Sequence, residues 1–250
     1  MVERSRTWHY GRIAEWWAHF NTDGPEIEEY GHVVAEGQPA LDAGCGAGRL
    51  LVPWLRAGYD VDGCDVSEDM LERCRERARR EGLEPTLWVA PLHELRAPRR
   101  YRTIVCCGTF GLGSTRAQDE AALRLLRETL EPGGMLILDH EVARPGQFDM
   151  TPLPKPWPER GDRRRTADGS EYELRVRRAA VDEADWSETL EIWARKWDPK
   201  DRLVAEEKRE LTTRSYPNDE LRELIEHSGF RVVDEHETAD PSIVAYVGTA

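Results

Sequence analysis

Three glycines alternate in the run Leu41-Asp42-Ala43-Gly44-Cys45-Gly46-Ala47-Gly48. Glycine there permits a sharp turn and lets a ligand lie against bare backbone. Further on, Asp65 ends a second short run, Tyr59 to Asp65. A carboxylate at a strand end can accept hydrogen bonds from both hydroxyls of a ribose. Together the loop and Asp65 describe a nucleoside site, against the plainer alternative of a Gly-rich turn beside a surface aspartate. Spacing separates the ligand classes. A dinucleotide fingerprint, Gly-x-Gly-x-x-Gly, needs glycine at position 49, where Arg49 stands, and Gly48 comes one residue early. No Gly-Lys-Ser/Thr follows, which excludes a phosphate loop.

A second group with chemical potential is Asp139-His140-Glu141. His140 is the best candidate for a general base, with His9 and Tyr10 as weaker ones. Consecutive residues on a strand point to opposite faces, so these three cannot converge on one ion. No metal site is expected.

The elements that must position these residues follow from pattern. Ala40–Ala43, Tyr59–Asp65, Thr86–Ala90, Thr103–Cys107 and Met135–Leu138 read as strands, alternating with helices. Gly58 stops the first of these helices. Ser67 caps the second, whose acidic start and basic end suit the helix dipole. Leu123, Leu126 and Leu130 recur at helical spacing. This alternation predicts a parallel sheet with right-handed crossovers. After Pro145 the pattern changes. Prolines up to Pro158 mark a linker, and three antiparallel strands follow, the third weak around Leu203 to Leu211. The core pattern returns at Pro217 with a helix, a Gly229 stop and two final strands.

At this level of detail the sequence resembles the class I S-adenosylmethionine-dependent methyltransferase family. The resemblance rests on Leu41 through Arg49, Val61 through Ser67 with Met70-Leu71, Leu130-Glu131-Pro132-Gly133-Gly134, and Glu220-Leu221 through Gly229-Phe230. It implies a Rossmann-like α/β fold with a seven-stranded methyltransferase sheet, reversed at its last hairpin, plus a small antiparallel β insertion. The implied organisation is a helical lid at 1–36, a cofactor-binding core at 37–150 and 214–250, and a substrate lid at 151–213. The resemblance implies that Asp42, Gly44, Cys45 and Gly46 surround the methionine part of S-adenosyl-L-methionine and that Asp65 holds its ribose. Val66 and Met70 would flank the adenine, Pro91 and Leu92 would meet its edge, and Cys107 and Gly108 would face the sulfonium. N-terminal aromatics, Trp8, Tyr10, Trp16, Trp17, Phe20 and Tyr30, would close over the cofactor and could meet the sulfonium by cation–π attraction. Where the family often carries an aspartate after strand three, this chain has Pro91.

Composition bounds the partners. Lys and Arg number 35 against 48 Asp and Glu, a net charge of −13, which repels phosphate backbones and anionic lipid. No apolar run has the roughly 20 residues of a membrane helix, and Met1 to Arg6 lacks the apolar stretch of a signal peptide. The odd number of cysteines, five, offers no disulfide framework. A cytoplasmic enzyme is expected, free of nucleic acid and membrane and possibly homodimeric, methylating oxygen or nitrogen of a small molecule without a metal. The alternatives are a non-catalytic module that senses S-adenosylmethionine and a nicotinamide-dependent oxidoreductase, the latter opposed by Arg49. Trp193 and Trp197 share a strand with Leu190, Ile192 and Ala194, so they need an apolar surface of their own. An acceptor pocket or a subunit contact is expected there.

Overall fold

The computed structural model describes residues 7–144, 146–148 and 152–250. Met1–Arg6, the Pro145 linker start and Thr151 at the insertion boundary lie outside the described residues. Two helices come first, α1 (Gly11–Phe20) and α2 (Glu26–Glu36). The core then runs β1 (Ala40–Ala43), α3 (Leu51–Arg56), β2 (Val61–Asp65), α4 (Glu68–Arg80), β3 (Leu87–Val89), a 3-10 turn at Leu92–Glu94, β4 (Tyr101–Cys106), α5 (Arg116–Thr129) and β5 (Leu130–Glu141). It closes with α6 (Asn218–His227), β10 (Arg231–Glu237) and β11 (Ile243–Thr249).

The seven-stranded sheet has the order β10-β11-β5-β4-β1-β2-β3, and β11 alone runs against the other strands. From β1 the chain steps outward through β2 and β3, then returns to lay β4 and β5 on the other side. The crevice at that reversal lies between β1 and β4, where loops from adjacent strands diverge and ligands bind in open α/β sheets. β1 is buried along its whole length, which its apolar run requires. Local signals set the helix ends. The Ser67 hydroxyl accepts from Met70 N at 3.3 Å and caps α4, and α5 starts in a Thr115–Gln118 capping box.

The insertion is a second sheet, β6 (Asp162–Arg165), β7 (Glu171–Asp182), β8 (Ser187–Trp197) and β9 (Leu203–Arg214), antiparallel in that order. It therefore has four strands rather than the three expected. β6 is exposed throughout and consists of Asp-Arg-Arg-Arg, so it has no apolar alternation to betray it. It is an edge strand, held by the β7 ladder and by Arg163–Glu171 at 2.5 Å. β9 is twelve residues long, with charge on both faces over much of its length.

One face of this sheet packs Tyr172, Leu174, Ile192, Ala194 and Leu211 against Trp8, Ile13 and Trp16. The other face carries Trp193, whose ring meets Trp157 at 5.7 Å and the cations of Arg195 and Lys208 at 4.6 Å each. Trp197 likewise lies under Arg163 at 4.5 Å. The surface that these tryptophans find is thus a layer of cations and one proline-flanked tryptophan.

Candidate functional site

A cavity of about 330 Å³ opens at the β1/β4 crevice, a size typical of small-molecule sites. All eleven residues expected at the cofactor line it. Asp42, Gly44, Cys45 and Gly46 come from the first loop, and Asp65, Val66 and Met70 from the end of β2 and the start of α4. Pro91, Leu92, Cys107 and Gly108 complete the set from the ends of β3 and β4.

The glycine loop is a backbone necessity. Gly44 has φ +91°, and a Cβ there would lie 2.2 Å from Thr109 Oγ1. Only glycine allows both that conformation and that approach. Its neighbour donates across the site: Gly46 N bonds Asp65 Oδ2 at 2.9 Å, and Ser67 N bonds Asp65 Oδ1 at 2.8 Å. Each carboxylate oxygen keeps a further lone pair for a ligand hydroxyl. Burial pushes the Asp65 carboxyl up to about 6, against the pull of these N–H donors. Asp42 is 2% exposed and its Oδ2 has no hydrogen-bond partner. Burial pushes its carboxyl up to about 7. An unpaired acceptor in such a place is costly unless a ligand donor or cation meets it.

The residues present therefore fit S-adenosylmethionine. The unpartnered Asp42 oxygen suits an ammonium, the free lone pairs of Asp65 suit ribose hydroxyls, and Val66, Met70 and Leu92 offer an apolar slot for a base. The floor beneath is braced. Buried Asp139 accepts from Gly108 N and from Tyr30 OH, the latter at 3.0 Å, which fixes the Cys107–Gly108 turn. Arg49 reaches Cys107 Sγ at 3.2 Å and pairs with Glu26 at 2.7 Å. Burial pushes the Cys107 thiol well up, so it stays protonated.

The structure places His140, the expected general base, outside the cavity lining. It is 5% exposed. Its Nε2 accepts from Tyr216 N at 2.8 Å, the Phe110 backbone takes its other hydrogen bond, and burial lowers it to about 4. With both ring nitrogens engaged beneath Phe110 and Tyr216, it braces the floor and is not placed to take a proton from an acceptor. The N-terminal aromatics divide. Trp17 lines the cavity together with His9, whereas Trp8, Trp16 and Phe20 pack on the insertion and Tyr30 serves Asp139. Trp193 and Trp197 do not line the cavity.

Pattern reasoning missed the loop from Thr109 to Ser114, together with Gln118 and Asp119 of α5, all of which line the cavity. The spaced glycines Gly108, Gly111 and Gly113 were the available signal. Gly111 has φ +80°, and a Cβ there would sit 2.5 Å from the Arg214 carbonyl oxygen. That contact ties the insertion to the cavity floor. Buried Arg214 donates to Asp119 Oδ2 at 3.1 Å and to the Ser114 carbonyl at 3.0 Å, and it also pairs with Asp185 of the β7–β8 turn. Tyr216 OH donates to the same Asp119 oxygen at 2.8 Å.

A parallel sheet with one reversed strand and a cavity at its switch point defines a Rossmann-like α/β fold. Residues 40–134 match the family described as methyltransferase domain. The matched segment, less than half of the chain, is similar to the class I S-adenosylmethionine-dependent methyltransferases. The chain is 30% identical over 105 residues to a dTDP-3-amino-3,4,6-trideoxy-alpha-D-glucopyranose N,N-dimethyltransferase of Streptomyces venezuelae, covering 42% of this chain and 43% of that one. It is 29% identical over 157 residues to a ubiquinone biosynthesis O-methyltransferase of Cereibacter sphaeroides, covering 60% of this chain and 62% of that one. These matches span less than two thirds of either relative. Among solved structures, it resembles an amino pentose methyltransferase from Micromonospora echinaspora, solved with S-adenosylmethionine bound. The TM-score is 0.64 and the identity 19%, over 90% of this chain and 89% of that one. Among the described residues, no helix is long and apolar enough to cross a membrane.

Proposed function

We propose that this chain transfers a methyl group from S-adenosylmethionine to a nitrogen of a small polar molecule, with oxygen as the less favoured acceptor atom. The observation that carries the reading is the buried, unpartnered Asp42 oxygen in one cavity with the Asp65 carboxylate and the glycine loop. When bound, the sulfonium supplies an activated methyl group. The chain itself positions and desolvates: Trp17 and His9 cover the cavity, and the braced Cys107–Gly108 turn forms its floor.

The preference for nitrogen comes from His9 and Asp119 of the cavity lining, the other imidazole there, His93, being engaged with Gln118 Nε2 at 3.0 Å. His9 accepts from Trp8 Nε1 at 3.2 Å and meets Thr7 Oγ1 at 2.7 Å, and Asp119 is held by Arg214 and Tyr216. Neither is poised to remove a proton before attack. A neutral amine attacks without prior deprotonation, whereas a hydroxyl gains from a base.

Calorimetry with S-adenosylhomocysteine and with nicotinamide dinucleotides tests the cofactor. Binding of the sulfur nucleoside alone is expected, and the reverse result overturns the reading. Turnover with paired amine and hydroxyl acceptors tests the atom. The net charge of −13 supports acceptors other than nucleic acid.

A further inference from the structure

A second cavity, of about 930 Å³, lies on the insertion. Arg177 of β7, Thr189 and Glu191 of β8, and Lys208, Glu210 and Thr212 of β9 line it from the face that carries Trp193. Arg209, which points to the opposite face of β9 over Tyr10, and Thr7 of the N-terminal segment line it from the other side of this edge strand. Arg177, Glu191 and Glu210 stand side by side across the three strands, and Thr189 opposite Thr212 forms the adjacent rung. Arg177 and Glu191 pair at 2.6 Å. Every one of these side chains is a hydroxyl or a charge, so the compartment suits a ligand rich in hydroxyls and is hostile to a hydrocarbon tail.

Thr7 is the residue that this cavity shares with the cofactor cavity. The two compartments also abut along β9, because Gly113 N of the inner lining donates to the Thr212 carbonyl at 2.7 Å. The Thr7 hydroxyl is oriented by His9. An indole N–H can only donate, so His9 Nε2, 3.2 Å from Trp8 Nε1, is the acceptor and the ring proton sits on Nδ1. That proton is donated to Thr7 Oγ1 at 2.7 Å. The Thr7 oxygen is thereby an acceptor within the protein, and its own hydrogen is left to be donated to a ligand oxygen.

We propose that the methyl acceptor is a two-part, hydroxyl-rich molecule of the amino glycoside class. Its reacting ring enters the cofactor cavity, its second polar unit lies in the compartment on β7–β9, and the Thr7 hydroxyl donates to it at the junction. The inference rests on the methyl-transfer reading above and adds the substrate class and a specificity residue.

The test uses the full chain with S-adenosylmethionine and two probes, a methyl 3-amino-3-deoxyglucoside and a disaccharide carrying the same amino ring. Thr7→Val is expected to raise KM for both probes about tenfold, the loss of one hydrogen bond to a ligand. Thr7→Ser restores it, and S-adenosylhomocysteine affinity stays unchanged. Thr212→Val and Lys208→Gln are expected to raise KM several-fold for the disaccharide and leave the single-ring probe unaffected. The proposal is overturned if Thr7→Val leaves KM unchanged, or if the outer variants act on both probes alike or on neither. It is also overturned if neither glycoside is methylated while S-adenosylhomocysteine binds. Absence of S-adenosylhomocysteine binding would instead remove the methyl-transfer reading itself.

Discussion

The cofactor crevice and the insertion sheet are built on different principles. The crevice is made of backbone: glycines at positive φ, strand ends and N–H donors brought together by consecutive β-loop-α units. The insertion is made of side-chain pairs across strands, with ion pairs and cation–aromatic contacts on one face and a shared aromatic core with α1 on the other. A backbone site depends on few residue types at fixed spacing. A sheet of charged pairs tolerates many sequences, each pair contributing little. The crevice should therefore respond sharply to single changes and the insertion weakly, except where the two are joined.

The joint should give the largest effect. The side chains of Arg214 and Asp119 are each 3% exposed, and removing one partner strands a buried charge. Arg214→Met is expected to cost about 3–5 kcal/mol of stability, measured by denaturant unfolding. A loss under 1 kcal/mol would mean that the insertion folds independently of the core. His140→Ala comes next. It should lower stability by about 2–4 kcal/mol, through a lost core ring and an unsatisfied Tyr216 N–H. The pH profile of turnover should keep its shape, and a profile that loses an ionisation would restore His140 as a base.

Within the crevice, Asp65→Ala should weaken S-adenosylhomocysteine by about 2–3 kcal/mol, since charge-assisted bonds to hydroxyls are lost. Asp42 gives a pH signature. Its carboxyl is raised to about 7 by burial, so the empty site favours the proton, and binding of an ammonium requires its loss. Cofactor affinity should rise about tenfold between pH 6 and 8, and Asp42→Asn should flatten that rise. Stability of the cofactor-free protein runs the opposite way with pH. With Asp42 and Asp65 both raised in the folded state, the cofactor-free protein is stabilised at low pH and loses that contribution as pH climbs through about 6 and 7.

The smallest effect belongs to the insertion's outer face. Trp193→Ala should cost about 1 kcal/mol of stability, on the scale of its cation–π contacts, with cofactor affinity unchanged. Light scattering on the same variant checks the subunit-contact idea. A change of mass would show that Trp193 joins copies of the chain.

The cofactor half was legible because its chemistry is local. Gly44, Gly46 and Asp65 announce themselves by spacing, and the residues around them follow from strand and helix ends. The acceptor half was less legible. His140 looked catalytic because it follows a strand at the functional edge, and a sequence does not show that Phe110 and Tyr216 close over the ring. Trp193 was expected at an acceptor pocket or a subunit contact because its strand is apolar on both sides, and within the chain its partners, Trp157, Arg195 and Lys208, come from the linker, its own strand and β9.

The same division holds for the ends of elements. Ser67 and Thr115 each cap a helix from within the first turn, so the sequence determined where α4 and α5 begin. The start of α1 was decided by tertiary structure. Asp69 Oδ2 accepts from Gly11 N at 2.6 Å, and Glu207 Oε1 accepts from Arg12 N at 2.8 Å. These carboxylates come from α4 and β9, far along the chain, and supply the acceptors that a helix N-terminus requires. The sequence determined a nucleoside site, because backbone conformation is a short-range property of residue type. Tertiary structure decided what faces that site, because Thr7, Ser114, Asp119 and Arg214 meet only after two sheets and a helix have packed.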